Sequence, residues 1–193
     1  MDENQKKQNT LPEHAKMIAK GKMFEIWQWE QEMFDGTKGI FEKIKRPNTA
    51  GVIAVVGDKI ILQEQEQPRR GVFLSLPGGR CDEGEELIET ARRELLEETG
   101  CVSDDIFFWK SENPASSMIY TNAYFIARNC RKVQDQKLDS GEKIKTKLIT
   151  FEELLMLSEN EIFRDKGLMR YLLQMRLHPE KAEEFRKLLF PEK

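Results

Sequence analysis

The sequence is poor in the residues that build disulfide-linked or zinc-dependent scaffolds. It has three cysteines, Cys81, Cys101 and Cys130, which are far apart and form no C-x-x-C pair, and it has only two histidines. An odd and scattered set of cysteines argues against a disulfide framework and against a zinc cluster. We therefore expect a reduced protein of the cytoplasm.

The sequence also lacks long apolar runs and an excess of one charge. No apolar run approaches the roughly 18 residues that a membrane-spanning helix needs. The polar N-terminus, MDENQKKQNTLPEH, lacks the apolar core of a signal peptide. With 31 basic and 34 acidic residues, the formal net charge is −3. Because no basic stripe stands out, we expect neither a nucleic-acid nor a membrane partner.

What is present is a regular succession of strand and helix patterns. Apolar and polar residues alternate on both sides of Asp35-Gly36, which predicts an antiparallel β-hairpin after a polar lead-in (1–21) with at most a helical turn or two. The spacing of Asp82 and Glu85 predicts a capping box for a helix over 85–99. Thr150 and Glu153 repeat that spacing before a later helix.

The order of these patterns predicts the fold class. The other predicted elements are two strands around Gly57-Asp58, a buried strand ending at Pro77, two strands after the central helix, a polar loop (130–143) and helices on either side of Pro179. We expect an α/β (α+β) sandwich. We divide the chain into an N-terminal segment with the hairpin (1–46) and a main domain (47–193).

The predicted central helix carries an unusual amount of negative charge. Leu87, Ile88, Ala91 and Leu95 form one apolar face at helical spacing, whereas Glu94, Glu97 and Glu98 meet on another face. A solvated acidic face is one interpretation. A site for a hard divalent ion such as Mg²⁺ is the other, since such an ion prefers carboxylate and carbonyl oxygens.

The spacing of the whole segment decides between these interpretations. It reads Gly79, five residues, Glu85, seven residues, then Arg93-Glu94-Leu95-x-Glu97-Glu98-x-Gly100. This pattern resembles the Nudix box at every polar and glycine position, and the sequence is therefore similar to the Nudix hydrolases. One departure is Cys101, where the family usually has an aliphatic residue. Cysteine is a small residue that is readily buried, so we expect the metal chemistry to be unaffected.

The resemblance implies an α/β/α sandwich with a mixed β-sheet and a set of site residues. It implies that Glu94, Glu97, Glu98 and the carbonyl of Gly78 bind Mg²⁺, with Mn²⁺ as a substitute. Glu97 and Glu98 are then also catalytic residues. The remaining polar positions of the box, Gly79, Glu85, Arg93 and Gly100, are implied to lock its loop to its helix.

The order of elements outside the box is similar to the ADP-ribose pyrophosphatase branch. The likeness suggests a phosphate contact at Gln67-Pro68-Arg69, with Arg70 as the alternative. It also suggests that Trp29 of the hairpin stacks on the nucleobase, with core packing as the alternative. A loop carboxylate that binds metal or acts as base is expected at Glu142, with Asp139 as the alternative. The hairpin of that branch helps to form a homodimer.

The expected function follows from this likeness. We expect Mg²⁺-dependent hydrolysis of the pyrophosphate bond of a nucleoside diphosphate sugar, with ADP-ribose giving AMP and ribose 5-phosphate. The alternatives are another substrate (GDP-mannose, NADH, a dinucleoside polyphosphate or a modified nucleoside triphosphate) and a non-catalytic module that senses a nucleotide. Because every glutamate of the box is present, the non-catalytic module is the least favoured of these.

Overall fold

The structure, a computed structural model, describes residues 10–113 and 115–191. A four-stranded sheet contains the N-terminal hairpin, and its order is β1 (Lys16–Lys20), β2 (Glu25–Glu32), β3 (Lys38–Lys45) and β10 (Met118–Ile119). The β2–β3 hairpin turns at Asp35-Gly36, as the alternation predicts. The short strand β10 runs parallel to β3 and joins this sheet to the main body.

A seven-stranded mixed sheet forms the main body. Its central strands β4 and β11 are parallel, and its other pairings are antiparallel. A small two-stranded sheet pairs β8 (Cys101–Val102) with β12 (Arg131–Lys132). The strands of the main sheet are β4 (Thr49–Val56), β5 (Lys59–Gln67), β6 (Gly71–Ser75), β7 (Gly78–Arg80), β9 (Asp105–Glu112), β11 (Asn122–Arg128) and β13 (Lys143–Ile149).

Helices cover both faces of this sheet. The box helix α1 (Leu87–Thr99) lies on one face, and α2 (Phe151–Met156), α3 (Lys166–Leu177) and α4 (Pro179–Leu189) lie on the other. Successive residues of β4 alternate between the two cores, with Val52 and Ala54 packing toward α1 and Ile53 and Val55 toward the later helices. A strand that is buried on both faces, such as β4, has a nearly continuous run of apolar residues in its sequence. The predicted sandwich with a mixed sheet is thus confirmed.

The main sheet splits at the end where β6 and β7 lie. Strands β4 and β5 pair only beside their turn, at Val55 and Val56. Beyond that point β6 pairs with β5, and β7 pairs with the other end of β4. The connection between β6 and β7 contains Pro77, whose carbonyl accepts a hydrogen bond from the Val52 amide. The pairing of β7 with β4 therefore holds the glycine loop, Gly78 and Gly79, beside the box helix.

Three local predictions are wrong. The central helix begins at Leu87 rather than at residue 85, and no side chain caps it. The Glu85 carboxylate does accept a hydrogen bond from the Asp82 amide, but its main partner is Arg93. Residues 16–20 form strand β1 rather than a helical turn, because pairing with β2 decides their conformation. The loop over 130–143 contains the two residues of β12.

Other local predictions are confirmed. Thr150 and Glu153 form a capping box at the start of α2, and Pro179 begins α4 after α3 has ended. Residues 1–9 of the polar lead-in lie outside the described residues. Among the helices of the described residues, none is both long and apolar enough to cross a membrane. The domain boundary between residues 46 and 47 stays a prediction.

Candidate active site

The glycine loop and the box helix are in direct contact. Gly78 has φ of 151°, and a Cβ atom there would overlap the Ala50 carbonyl oxygen. A Cβ atom at Gly79 would overlap the Glu94 carboxylate. Gly100 ends the helix in the left-handed conformation, with φ of 71°. Glycine is required at these positions because the backbone approaches its neighbours too closely for a side chain, or because φ is positive.

Arg93 joins the loop to the helix through several bonds. Its Nε and Nη2 donate to the two oxygens of Glu85, at 2.9 and 3.0 Å, and Nη2 also donates to the Arg80 carbonyl at 3.0 Å. Its Nη1 lies 2.7 Å from Glu94 Oε1 and 3.3 Å from Glu97 Oε2. The hydrogen bonds from Arg93 lower the pKa of Glu85 to about 2. This guanidinium thus holds the loop and the acidic face of the helix together.

Glu98 is the most deeply buried carboxylate of the box. It is 4% exposed, and its Oε2 accepts hydrogen bonds from the Gly78 amide at 2.8 Å and from Gln63 Nε2 at 3.1 Å. Burial, together with the negative charges of Glu94 and Glu142, raises the pKa of Glu98 to about 8. Burial also raises the pKa of Glu94. These carboxylates therefore face one another in a poorly hydrated place.

Glu142 belongs to a turn that faces the box. The Glu142 amide donates to the Asp139 carbonyl at 3.0 Å, and the segment lines an open cleft of about 450 Å³ together with Gln67 and Pro68. Burial raises the pKa of Glu142, and the charge of Asp139 adds to that effect. The structure thus brings the loop carboxylate expected from the sequence into the electrostatic range of Glu94 and Glu98.

Comparison with known proteins agrees with this geometry. The NUDIX domain family profile matches residues 45–172, which is most of the chain. The chain belongs to the Nudix family of hydrolases. A crystal structure of an ADP compounds hydrolase superposes on 87% of this chain and 94% of its own length with a TM-score of 0.69, at 21% identity. At that identity the likeness concerns the fold.

Two curated proteins are similar in sequence. An ADP-ribose pyrophosphatase of Bacillus subtilis (strain 168) is 29% identical over 150 residues, which are 74% of this chain and 80% of that protein. A methanol dehydrogenase activator of Bacillus methanolicus is 27% identical over 160 residues, which are 79% of this chain and 85% of that protein.

Nudix hydrolases generally use divalent metal ions, and the donor set of this box fits such an ion. Its side-chain donors are carboxylate oxygens, which hard divalent cations prefer. In residues 10–113 and 115–191, no three acidic, histidine or cysteine side chains already converge on one point. Arg93 binds Glu94 and Glu97. Buried carboxylates that raise one another's pKa are nevertheless the groups that a cation stabilises in ionised form.

Sequence reasoning named Arg70 but missed three further arginines around this Nudix box, Arg46, Arg80 and Arg164. Burial lowers the pKa of Arg164, and the charges of Arg70 and Arg46 lower it further. The guanidinium carbons of Arg70 and Arg164 lie 5.3 and 5.4 Å from the Phe73 ring centre. Arg46 Nε is buried without a hydrogen-bond partner among the described residues. Arg80 lies within the electrostatic range of Glu142.

These arginines share one property. In the described part of the chain, the ion pairs of arginine involve other residues: Arg92, Arg93, Arg128, Arg131, Arg170, Arg176 and Arg186. With the other described residues, Arg46, Arg70, Arg80 and Arg164 make no ion pair. Guanidinium groups that repel one another and lack an ion-pair partner are suited to bind an anion. No motif marks Arg164 in the sequence, because it approaches the box only through the fold.

The remaining predicted site residues are Arg69, in the turn after β5, and Trp29, on β2. Arg69 is exposed in the β5–β6 turn with φ of 64°. Trp29 is 9% exposed on β2, where its ring centre lies 6.0 Å from that of Phe41 and its Nε1 donates to Gln31 at 3.3 Å. Within one chain Trp29 is thus packed in the hairpin sheet. Its contact with a nucleobase stays a prediction.

Proposed function

We propose that this Nudix hydrolase cleaves the pyrophosphate bond of ADP-ribose to give AMP and ribose 5-phosphate, with Mg²⁺ as its ion and Mn²⁺ as a substitute. One observation carries the proposal: buried carboxylates and unpaired arginines lie together at the split in the sheet. The carboxylates suit a divalent cation, and the guanidinium groups suit phosphate oxygens. The likeness to the ADP-ribose pyrophosphatase of Bacillus subtilis supports the choice of substrate.

Some residues of the box would bind the ion, and others would hold the loop against the helix. Glu94, Glu97, Glu98, the Gly78 carbonyl and Glu142 would hold the cation. A bound Mg²⁺ polarises a phosphoryl group and lowers the pKa of a bound water. Arg93 keeps Glu94 and Glu97 on one side of the helix through the bonds described above.

The loop carboxylate and the arginines would act on the substrate. Glu142 would accept the proton of the attacking water, because its turn lines the cleft and burial raises the pKa of its carboxyl group. Arg70 and Arg164 would bind the phosphate oxygens, with exposed Arg69 as the alternative to Arg70. Trp29 would stack on the base in a site that a second copy of the chain completes.

A substrate panel with one matched pair of variants tests the proposal. Nucleotide release is measured from ADP-ribose, GDP-mannose, NADH, diadenosine polyphosphates and nucleoside triphosphates, with and without Mg²⁺. We expect AMP from ADP-ribose only when the ion is present. Glu98→Gln should lose most of the activity and keep the fold. Glu89→Gln, an exposed carboxylate of the same helix, should keep the activity.

Each other outcome would change the proposal in a defined way. Cleavage of a different member of the panel would keep the reaction and replace the substrate. Tight binding of a nucleotide without any cleavage would favour a sensing module. Full activity of Glu98→Gln would contradict the metal site.

We also propose that the protein is a cytoplasmic homodimer that uses the hairpin sheet as its contact. Large apolar side chains of this sheet are exposed, among them Ile18 (52%) and Ile40 (68%). The three free cysteines support a reducing compartment. Light scattering should show a dimer for the protein and a monomer for Ile40→Asp. Leu177→Asp, equally exposed at 68% on α3, should remain a dimer. A dimeric Ile40→Asp variant would contradict this contact.

A further inference from the structure

Two glutamines of β5 lie in the core. Gln63 and Gln65 are 0% and 4% exposed. As alternate residues of one strand, they share with Ile61 the face that α1 covers. A buried amide costs free energy unless each of its polar atoms has a partner. The partners of these two side chains therefore show why the core tolerates them.

The two amides and a serine form one connected network. Gln65 Nε2 donates to Gln63 Oε1 at 2.7 Å and to Ser75 Oγ at 2.8 Å. Ser75 Oγ in turn donates to Gln63 Oε1 at 3.3 Å. Ser75 is 8% exposed and lies directly opposite Gln63 in the β5–β6 pairing. Both donors thus act on the oxygen of the Gln63 amide.

The network leaves Gln63 with a single orientation. With its oxygen turned toward two donors, its NH₂ group points to the box helix and donates to Glu98 Oε2 at 3.1 Å. The flipped amide would place an oxygen against the Glu98 carboxylate and an NH₂ group against the Gln65 donor. Both contacts would be repulsive, so Gln65 and Ser75 determine which group faces Glu98.

This orientation of Gln63 makes the two oxygens of Glu98 different. Oε2 receives both hydrogen bonds, from Gln63 and from the Gly78 amide at 2.8 Å. Among the described residues, none donates a hydrogen bond to Oε1. Two donors at different positions fix the plane of the carboxylate and leave Oε1 free to bind a cation. Partners of this kind, which orient a ligand without touching the metal, commonly tune metal affinity.

We propose that Gln63 is a positioning residue that holds Glu98 with Oε1 directed to the divalent ion, and that Gln65 and Ser75 fix the Gln63 amide. This inference rests on the proposed role of Glu98 as a metal ligand. It adds a residue outside the Nudix box to the metal site. It also explains why two amide side chains are buried on β5.

Direct metal binding tests the inference. The dissociation constant for Mn²⁺ is measured by electron paramagnetic resonance of the free ion, without substrate. Gln63→Leu removes the donor at similar volume and should weaken Mn²⁺ binding by about 10-fold or more, the lower range for the loss of an outer partner. Ser75→Ala should weaken it less, because Gln65 still holds the Gln63 oxygen.

Steady-state kinetics should show that Gln63→Leu affects metal binding and not substrate binding. In Gln63→Leu, the Mg²⁺ concentration for half-maximal activity should rise, whereas the KM for ADP-ribose at saturating Mg²⁺ should remain close to that of the unchanged protein. Excess Mg²⁺ should restore part of the lost turnover. If Gln63→Leu does not fold, Gln63→Met replaces it, since methionine is unbranched and has similar length.

Two controls separate the possible failures. Leu62→Ala alters the neighbouring residue of the same strand on the opposite face, in the other core. If it weakens Mn²⁺ binding as much as Gln63→Leu does, the effect is a general loosening of β5 and the inference is wrong. If Glu98→Gln abolishes Mn²⁺ binding and Gln63→Leu leaves it unchanged, only this inference fails. If Glu98→Gln also leaves it unchanged, the proposed metal site itself fails.

Discussion

The bond between Glu85 and Arg93 allows a quantitative prediction for Glu85→Gln. The guanidinium binds both carboxylate oxygens, and its hydrogen bonds lower the pKa of Glu85 from 4.5 to about 2. At about 1.4 kcal/mol for each tenfold change in proton affinity, the lowered pKa corresponds to at most about 3 kcal/mol of folding stability. The two side chains are 17% and 29% exposed, so solvent screens part of the interaction. We expect Glu85→Gln to lower the free energy of unfolding by about 1–2 kcal/mol at neutral pH.

The sign of the pH dependence follows from the lowered pKa. The unfolded chain binds a proton on Glu85 more readily than the folded protein does. The stabilisation is therefore complete above pH 4.5 and is lost as the pH falls toward about 2. Glutamine does not titrate, so the difference in stability between the unchanged protein and Glu85→Gln should shrink over that interval.

Urea unfolding followed by tryptophan fluorescence measures this difference. The buffer contains a chelator, so that metal binding does not contribute to the stability. Glu83→Gln, an exposed glutamate of the same loop, serves as the control and should change the stability little. A stability difference that is independent of pH would refute the assignment of the stabilisation to the ionised Glu85–Arg93 pair.

Further variants test other parts of the site and fold. Glu142→Gln should lower kcat strongly and leave KM nearly unchanged, because glutamine cannot accept the proton of the attacking water; an unchanged kcat would favour Asp139. Arg164→Gln should raise the KM for ADP-ribose by about 10-fold, the value of one hydrogen bond to a charged group, whereas exposed Arg131→Gln should not. Thr150→Ala should cost about 1 kcal/mol of stability through the lost cap without changing activity, and full stability in thermal unfolding would refute this.

Local patterns predicted those parts of the fold in which neighbouring residues decide the conformation. The Asp35-Gly36 turn, the apolar face of α1 and the capping box of Thr150 all depend on interactions within a few residues. The same holds for the box, since the spacing of Glu94 and Glu98 on a helix brings their side chains together. The Asp82–Glu85 spacing failed as a capping box because the helix begins only at Leu87 and the Glu85 amide donates to the backbone carbonyl of Asp82 rather than to its side chain.

Tertiary structure decided what depends on distant segments. In the sequence, Gln63 and Gln65 alternate with Glu64 and Glu66 and thus look like residues facing solvent. They are buried, and Gln63 meets Glu98 of α1, a contact that no pattern within β5 encodes. Arg164 approaches Glu98 only because the chain returns beside β6. The sequence by itself therefore determined which acidic side chains meet on one helix, through their spacing. The folded chain decided which residues surround them, because long-range pairing sets the environment of each side chain.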